Sequence, residues 1–496
     1  MTKTNSKKAL LSSAFALVLS AAMLIGTTFA WFTDTASTGV NKIVSGNLKV
    51  DIIGENSDSH IEKLNFKKTA ATDAEAGAAI LWEPGCRYLT EGFRIANKGN
   101  LALKWKAQVN MNNIINGKVE GSTIAKDGKS LLDVIDFYVV TSTDKNAEAV
   151  AIENFVGNLT AGAKSGVYYI KGVMQTTAGN DYQGLTLDGI TITVVATQDT
   201  VENDSFNNQY DKDAEYPILV TTGDELQAIV SNATAPVNIV LANSITTNNF
   251  VIPADKDVTL DLNGRTVTNA GSHTILNKGH LTLTDSSADK SGQIISLKGN
   301  TAALRNGDNA VCVVEGGTIS RDGANGNTWH VVENFGKMTF NGGKVVLKNG
   351  NGFAITNGWN YFDPGASTTH AVMEINALEL DTDSSGIKNC RYGDLTVNDV
   401  NVASTGYWAL SNDYLGTAVI NGGTLTSNSF KAVSNGAAMT VNGGTFDGTE
   451  GLFVQSYATS TVLNGGTFTN MNVDALSSYV GTGHTAQQSG TSVIIK

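Results

Sequence analysis

From Pro217 to the end, the chain alternates short apolar–polar–apolar runs with corners rich in asparagine and glycine. A period of two predicts strands, and the short runs predict that the chain turns often. Two marks recur. The first is Asn-Gly-Gly followed by Thr or Lys, at Asn341, Asn421, Asn442 and Asn464, with a variant at Glu315. Asp285, Asn376 and Asn398 fit the same slot without the glycines. The second mark is an apolar pair, one variable residue, then Asn. It occurs at Asn277, Asn306, Asn334, Asn357, Asn389, Asn412 and Asn435, and the last coil departs, ending at Ser456. Steps of 21 and 22 residues between Asn421, Asn442 and Asn464 predict a parallel β-helix with twenty-odd residues per coil. In such a fold inward residues stack from coil to coil. Asparagines at a turn can bond along the stack, and Gly-Gly permits a positive φ at a sharp corner. Residues 223–232 predict one amphipathic helix, which Thr222 can cap, placed over an open end.

Before Pro217 the pattern also reads as strands. Candidates are 43–53, 92–96, 101–111, 136–142, 167–173 and 190–196, with a short helix hinted at 130–135. Asn97-Lys98-Gly99-Asn100 is a turn signal between two β-prone runs, and Pro84-Gly85 supplies another. Many strands and few helices predict an all-β chain, a sandwich followed by the β-helix. The run 199–216 is acidic and lacks a period, so residues 208–216 are taken as a linker. At the start, Lys3, Lys7 and Lys8 precede an apolar run over 9–25, with Thr28 and Ala30 placed for cleavage between Ala30 and Trp31. The mature chain then opens on Trp31, Phe32, Thr33 and Asp34, two aromatics where a free end is ordinarily polar.

GTTFAWFTD and IVSGNLKVDI, then WEPGCRYLTEGFRIANKGNLALKWKAQV and AGNDYQGLTLDGITITVVATQDTVENDSF, resemble the TasA/camelysin family of Gram-positive bacteria over roughly residues 15–207. The resemblance implies a leader removed by a dedicated signal peptidase over residues 1–30. It implies an N-terminal jelly-roll β-sandwich over 31–207 and secretion to the extracellular matrix or cell surface. It further implies assembly, with itself or with related matrix proteins, in which Trp31 to Asp34 add as a strand to a neighbour. Cys86 stands where the family usually carries an acidic residue, which leaves a cation or hydrogen bond at that turn in doubt. Residues 217–496 resemble the pectate-lyase-like right-handed β-helices at the level of fold.

Charge and chemistry narrow the picture. Charged residues make up 16% of the 496, and the formal net charge of −12 becomes −15 once the leader's three lysines are gone. That argues against nucleic acid and against docking on anionic membranes, leaving membrane contact to export. No second hydrophobic span or sortase-type signal is seen, so release, or retention by partners, is expected. Cys86, Cys312 and Cys390 are odd in number and far apart, and isolated thiols are expected. The six histidines form no zinc motif, and the acidic linker lacks EF-hand spacing. Asp381-Thr382-Asp383 lacks the partners a polysaccharide lyase needs, and Arg265 reads as a corner residue. No metal, cofactor or catalytic residue is therefore expected. Trp329, Trp359, Tyr361, Tyr407, Trp408, Tyr414 and Tyr457 are candidates for stacking on polysaccharide or host glycan. The 22- and 23-residue steps between Trp408, Phe430 and Phe453 equally suit an interior stack. The expectation is a secreted structural or adhesive protein. A polysaccharide-active enzyme and a monomeric glycan-binding protein are the alternatives.

Overall fold

The computed structural model describes residues 48–61, 64–67, 80–110, 114–115, 118–119, 128–144, 147–151, 154–185, 191–199, 216–324, 329–359 and 369–496. The leader, Ala30, Trp31, Phe32, Thr33, Asp34, Tyr361 and linker residues 208–215 lie outside them.

Nearly all of the described chain is β-structure, and its second half is a parallel β-solenoid of about ten turns. Each coil contributes one strand to each of three faces. The first coil runs Val237–Leu241, Ile245–Thr247, Phe250–Ile252, and the same order repeats to Ser460–Leu463 and Gly466–Phe468. The faces hold 11, 12 and 9 strands, so the stack is roughly 50 Å tall at the usual strand spacing.

Alternation explains the packing. On the first face Leu260, Leu283, Val314, Phe340 and Ile375 are paired rung to rung and fully buried, and the column continues to Leu463. Each such side chain contributes roughly 1.5–3 kcal/mol by leaving water. Between the first and second faces the chain turns on its glycine pairs. Gly423 has φ +97°, and an added Cβ would meet Val400 O at 2.5 Å, so both backbone angle and space require glycine.

Both ends of the stack are covered. At the start, α1 (Gly223–Asn232) is capped by Thr222 Oγ1, which accepts from Glu225 N at 3.1 Å. It buries Leu226 and Val230 in the solenoid core. Its Gln227 accepts from Val251 N at 2.8 Å and donates to Val251 O at 3.0 Å, satisfying the first strand of the third face. At the far end, the hairpin Ala486–Ser489 and Ser492–Ile495 pairs antiparallel with Gly466–Phe468.

The first half of the described chain has antiparallel sheets around a separate core. Val50–Gly54 pairs with Phe93–Asn97, and Leu103–Asn110 lies between Val156–Leu159 and Thr191–Gln198. Arg87–Thr90, Tyr169–Met174 and Ile135–Val140 are neighbours in a third sheet. Phe93, Ile95, Leu103, Trp105, Phe137 and Ile170 share the core, with Trp105 edge-on to Phe155 at 4.8 Å. The turn at 97–100 joins two different sheets rather than paired strands. The helical hint shrinks to one 3₁₀ turn, Leu131–Asp133, closed by a Ser130–Asp133 capping box. At Pro84-Gly85 the chain does turn, with Gly85 at φ +86° and Cys86 N donating to Glu83 O.

Candidate functional site

Two ladders of side-chain amides run along the solenoid. In the inner one, Asn277, Asn306, Asn334, Asn357, Asn389, Asn412 and Asn435 are at most 1% exposed. Each Nδ2 donates to the next Oδ1 at 2.7–2.9 Å. The same Nδ2 also donates to a backbone carbonyl of the following coil, as Asn334 does to Val372 O at 3.0 Å. Gly336 N donates to Asn334 Oδ1, which fixes which way the amide faces. The column ends on aliphatic residues: Ile252 is the rung before Asn277, and Val454 is the rung after Asn435. Val454 takes the place expected for Ser456, because the last coil reaches its third face two residues early.

The outer ladder occupies the Asn-Gly-Gly slot. Asn464, Asn442, Asn421, Asn398, Asn376 and Asn341 each donate to the preceding rung at 2.7–3.0 Å, ending on Glu315 Oε1. A carboxylate only accepts, so Glu315 orients the whole column. The two ladders thus point in opposite directions along the axis.

The aromatics are distributed unevenly. Between residues 253 and 470, every described aromatic outside the interior lies on the third face or one of its two borders. Trp329, Phe353, Tyr407, Trp408 and Phe430 border it on the side of the second face. Phe335, Trp359, Tyr392, Tyr414 and Tyr457 border it on the side of the first. Trp408, Phe430 and Phe453 do meet, with Trp408 and Phe430 at 4.6 Å, but all three are partly exposed and none belongs to the core. The interior stack is instead Phe446 on Phe468, at 4.7 Å and 14°. Among the proposed contacts, Tyr407, Tyr414 and Tyr457 are the most exposed, at 57%, 45% and 54%.

The floor of this face has polar residues that the sequence reading passed over. Arg305, Glu333, Thr356 and Lys388 occupy successive outward rungs. Glu333 is only 3% exposed although it points away from the interior. Its Oε2 accepts from Arg305 Nη1 at 2.8 Å and its Oε1 from Trp329 Nε1 at 2.9 Å. Arg305 stacks on Phe335 at 4.5 Å, and Phe335 packs on Trp359 at 4.5 Å. Beneath them Arg321, 1% exposed, donates to Ser296 Oγ and Lys298 O. Burial brings its pKa down to about 10, and the charge of Glu333 opposes that. The signal for Arg321 was its inward place in the period of Thr318–Asp322.

His273 and His330 sit on the same border. Their Nδ1 atoms accept from Ala302 N and Phe353 N, and burial depresses both pKa values. The two aspartates singled out in the sequence have local partners. Asp381 pairs with Lys348 at 2.7 Å, and Asp383 accepts from Asn349 N at 2.6 Å. Arg265 is partly exposed at a corner, and burial lowers its pKa. Cys86, Cys312 and Cys390 are all free thiols. Among the described residues no group of three or more His, Cys, Asp or Glu side chains could hold a metal, and no helix is long and apolar enough to cross a membrane.

No family model, no curated protein and no solved structure matches the chain.

Proposed function

We propose that the chain is a secreted structural protein of the matrix or cell surface of a Gram-positive bacterium. Its solenoid acts as a stiff rod that contacts glycan through the third face. The observation that carries this reading is that, between residues 253 and 470, the described surface aromatics are confined to that face and its borders. Flat apolar rings suit the faces of pyranoses. Covered ends also favour side-on rather than end-on contact. Assembly belongs to the N-terminal region. Antiparallel sheets around one core are consistent with a jelly roll, and the TasA/camelysin resemblance supplies its mode of polymerisation. Trp31, Phe32, Thr33 and Asp34, freed by cleavage after Ala30, add as a strand to the next copy, a heterologous contact that need not close.

Electron microscopy tests this. Mature protein should form fibres, and protein lacking Trp31 to Asp34 should stay monomeric at the same concentration. Equal assembly by both refutes strand donation. A monomeric glycan binder is the second reading, favoured by the same covered ends, and light scattering before and after leader removal separates the two.

A further inference from the structure

Resting on the glycan-contact reading, we infer that the third face between the rungs of Arg305 and Lys388 is a binding site for a neutral, pyranose-based polysaccharide lying along the solenoid axis. Three strand steps separate these rungs, a length of about 14 Å, enough for a short run of sugar units.

The site is built rather than incidental. Trp329 on one border and Trp359 on the other are joined through the floor by a continuous chain of contacts. Trp329 bonds Glu333, Glu333 bonds Arg305, Arg305 stacks on Phe335, and Phe335 packs on Trp359. Each link fixes the next, so the two indoles are held at a set separation before any ligand arrives. Both indoles remain partly exposed. Preorganised aromatic surfaces bind at lower entropic cost than mobile ones.

Charge pairing selects the ligand class. Arg305 is paired with Glu333, and Lys388 with Asp413 at 3.1 Å while resting over Phe353. Further along, Lys431 is paired with Glu450 at 3.1 Å and lies over Phe453. A uronate or sulfate would compete for these cations, and at Arg305 it would leave the buried carboxylate of Glu333 without its cation. It would also approach a chain whose net charge is already −12. Sugar hydroxyls carry no such penalty. They can accept from the partly exposed Arg305 without disturbing its pair with the buried Glu333.

The test is affinity electrophoresis of the full mature chain in native gels. The gels contain a β-1,3-glucan, a β-1,4-glucan, an α-mannan or polygalacturonate. Retardation by at least one neutral polymer and none by polygalacturonate is expected. Trp329→Ala and Trp359→Ala should each weaken retardation about tenfold, and Tyr479→Ala, beyond the last coil, should leave it unchanged. Acrylamide quenching of tryptophan fluorescence in the unmutated protein should fall when the retarding polymer is present, a readout independent of whether the variants fold. Retardation by polygalacturonate alone overturns the ligand class. Neutral retardation that survives both tryptophan substitutions, with quenching unchanged, overturns the location. In either case the glycan-contacting rod stands. No retardation by any of the four polymers overturns this site and counts against the rod reading with it.

Discussion

Asn334 Nδ2 and Asn357 Oδ1 lie 2.7 Å apart in a fully buried column, each amide serving the coil after its own. Replacing Asn334 with Ala leaves Asn357 Oδ1, Val372 O and Gly336 N short of a partner at once. A loss of about 3 kcal/mol in chemical denaturation is expected, since buried polar groups left unpaired are costly. Asn421→Ala in the outer ladder removes bonds of similar length in an exposed place. Water replaces them, and the cost should stay within about 0.5 kcal/mol. Equal losses for the two variants contradict this account of the ladders.

Gly423→Ala should cost at least about 2 kcal/mol. The backbone there has φ +97°, and the new methyl would press on Val400 O and N. Thermal unfolding monitored by circular dichroism reads this directly.

Gln227→Ala removes both bonds between α1 and Val251. A net loss of about 1–2 kcal/mol is expected, with faster hydrogen exchange at the Val251 amide. Light scattering should also rise on storage, because an uncovered strand edge recruits other chains. Unchanged exchange at Val251 contradicts the capping role.

The thiols give a pH signature. Burial pushes Cys312 and Cys390 up to about 12, well above an unfolded thiol. The folded state therefore keeps protons that the unfolded state releases, and stability falls as pH rises from about 8 towards 12. Below about pH 7, where the unfolded thiol is also protonated, neither contributes a slope. The double variant Cys312→Ala, Cys390→Ala should flatten that alkaline decline, measured as denaturation midpoint against pH. Native-state alkylation at pH 8 should mark the partly exposed Cys86 well before the other two.

Much of the solenoid was legible because its two marks serve two different needs. The inner Asn must bond the next coil, and the Gly-Gly pair must turn the corner, so neither can drift in composition. The length between marks can drift. Residues 285–292 swell one corner without disturbing the register on either side. The same freedom hid the final coil, where Val454 and not Ser456 reaches the inner slot. The floor of the third face was hidden for another reason. Arg305 and Glu333 are 28 residues apart in sequence, and only the strand register makes them neighbours. Trp329 and Trp359 were legible as aromatics, but not their connection through Phe335. In the N-terminal half, the turn at 97–100 reads like a hairpin. Nothing local says that Phe93–Asn97 and Leu103–Asn110 take partners elsewhere, in Val50–Gly54 and Val156–Leu159.

The aliphatic rungs at Ile252 and Val454 set rules for how such a rod can grow. Duplicating a middle coil inserts one more amide between two that already accept it, and the column simply lengthens. Duplicating the first or last coil only adds a second aliphatic rung beyond the column and lengthens no run of amides. An amide column longer than these seven rungs is therefore expected only where a middle coil has been duplicated.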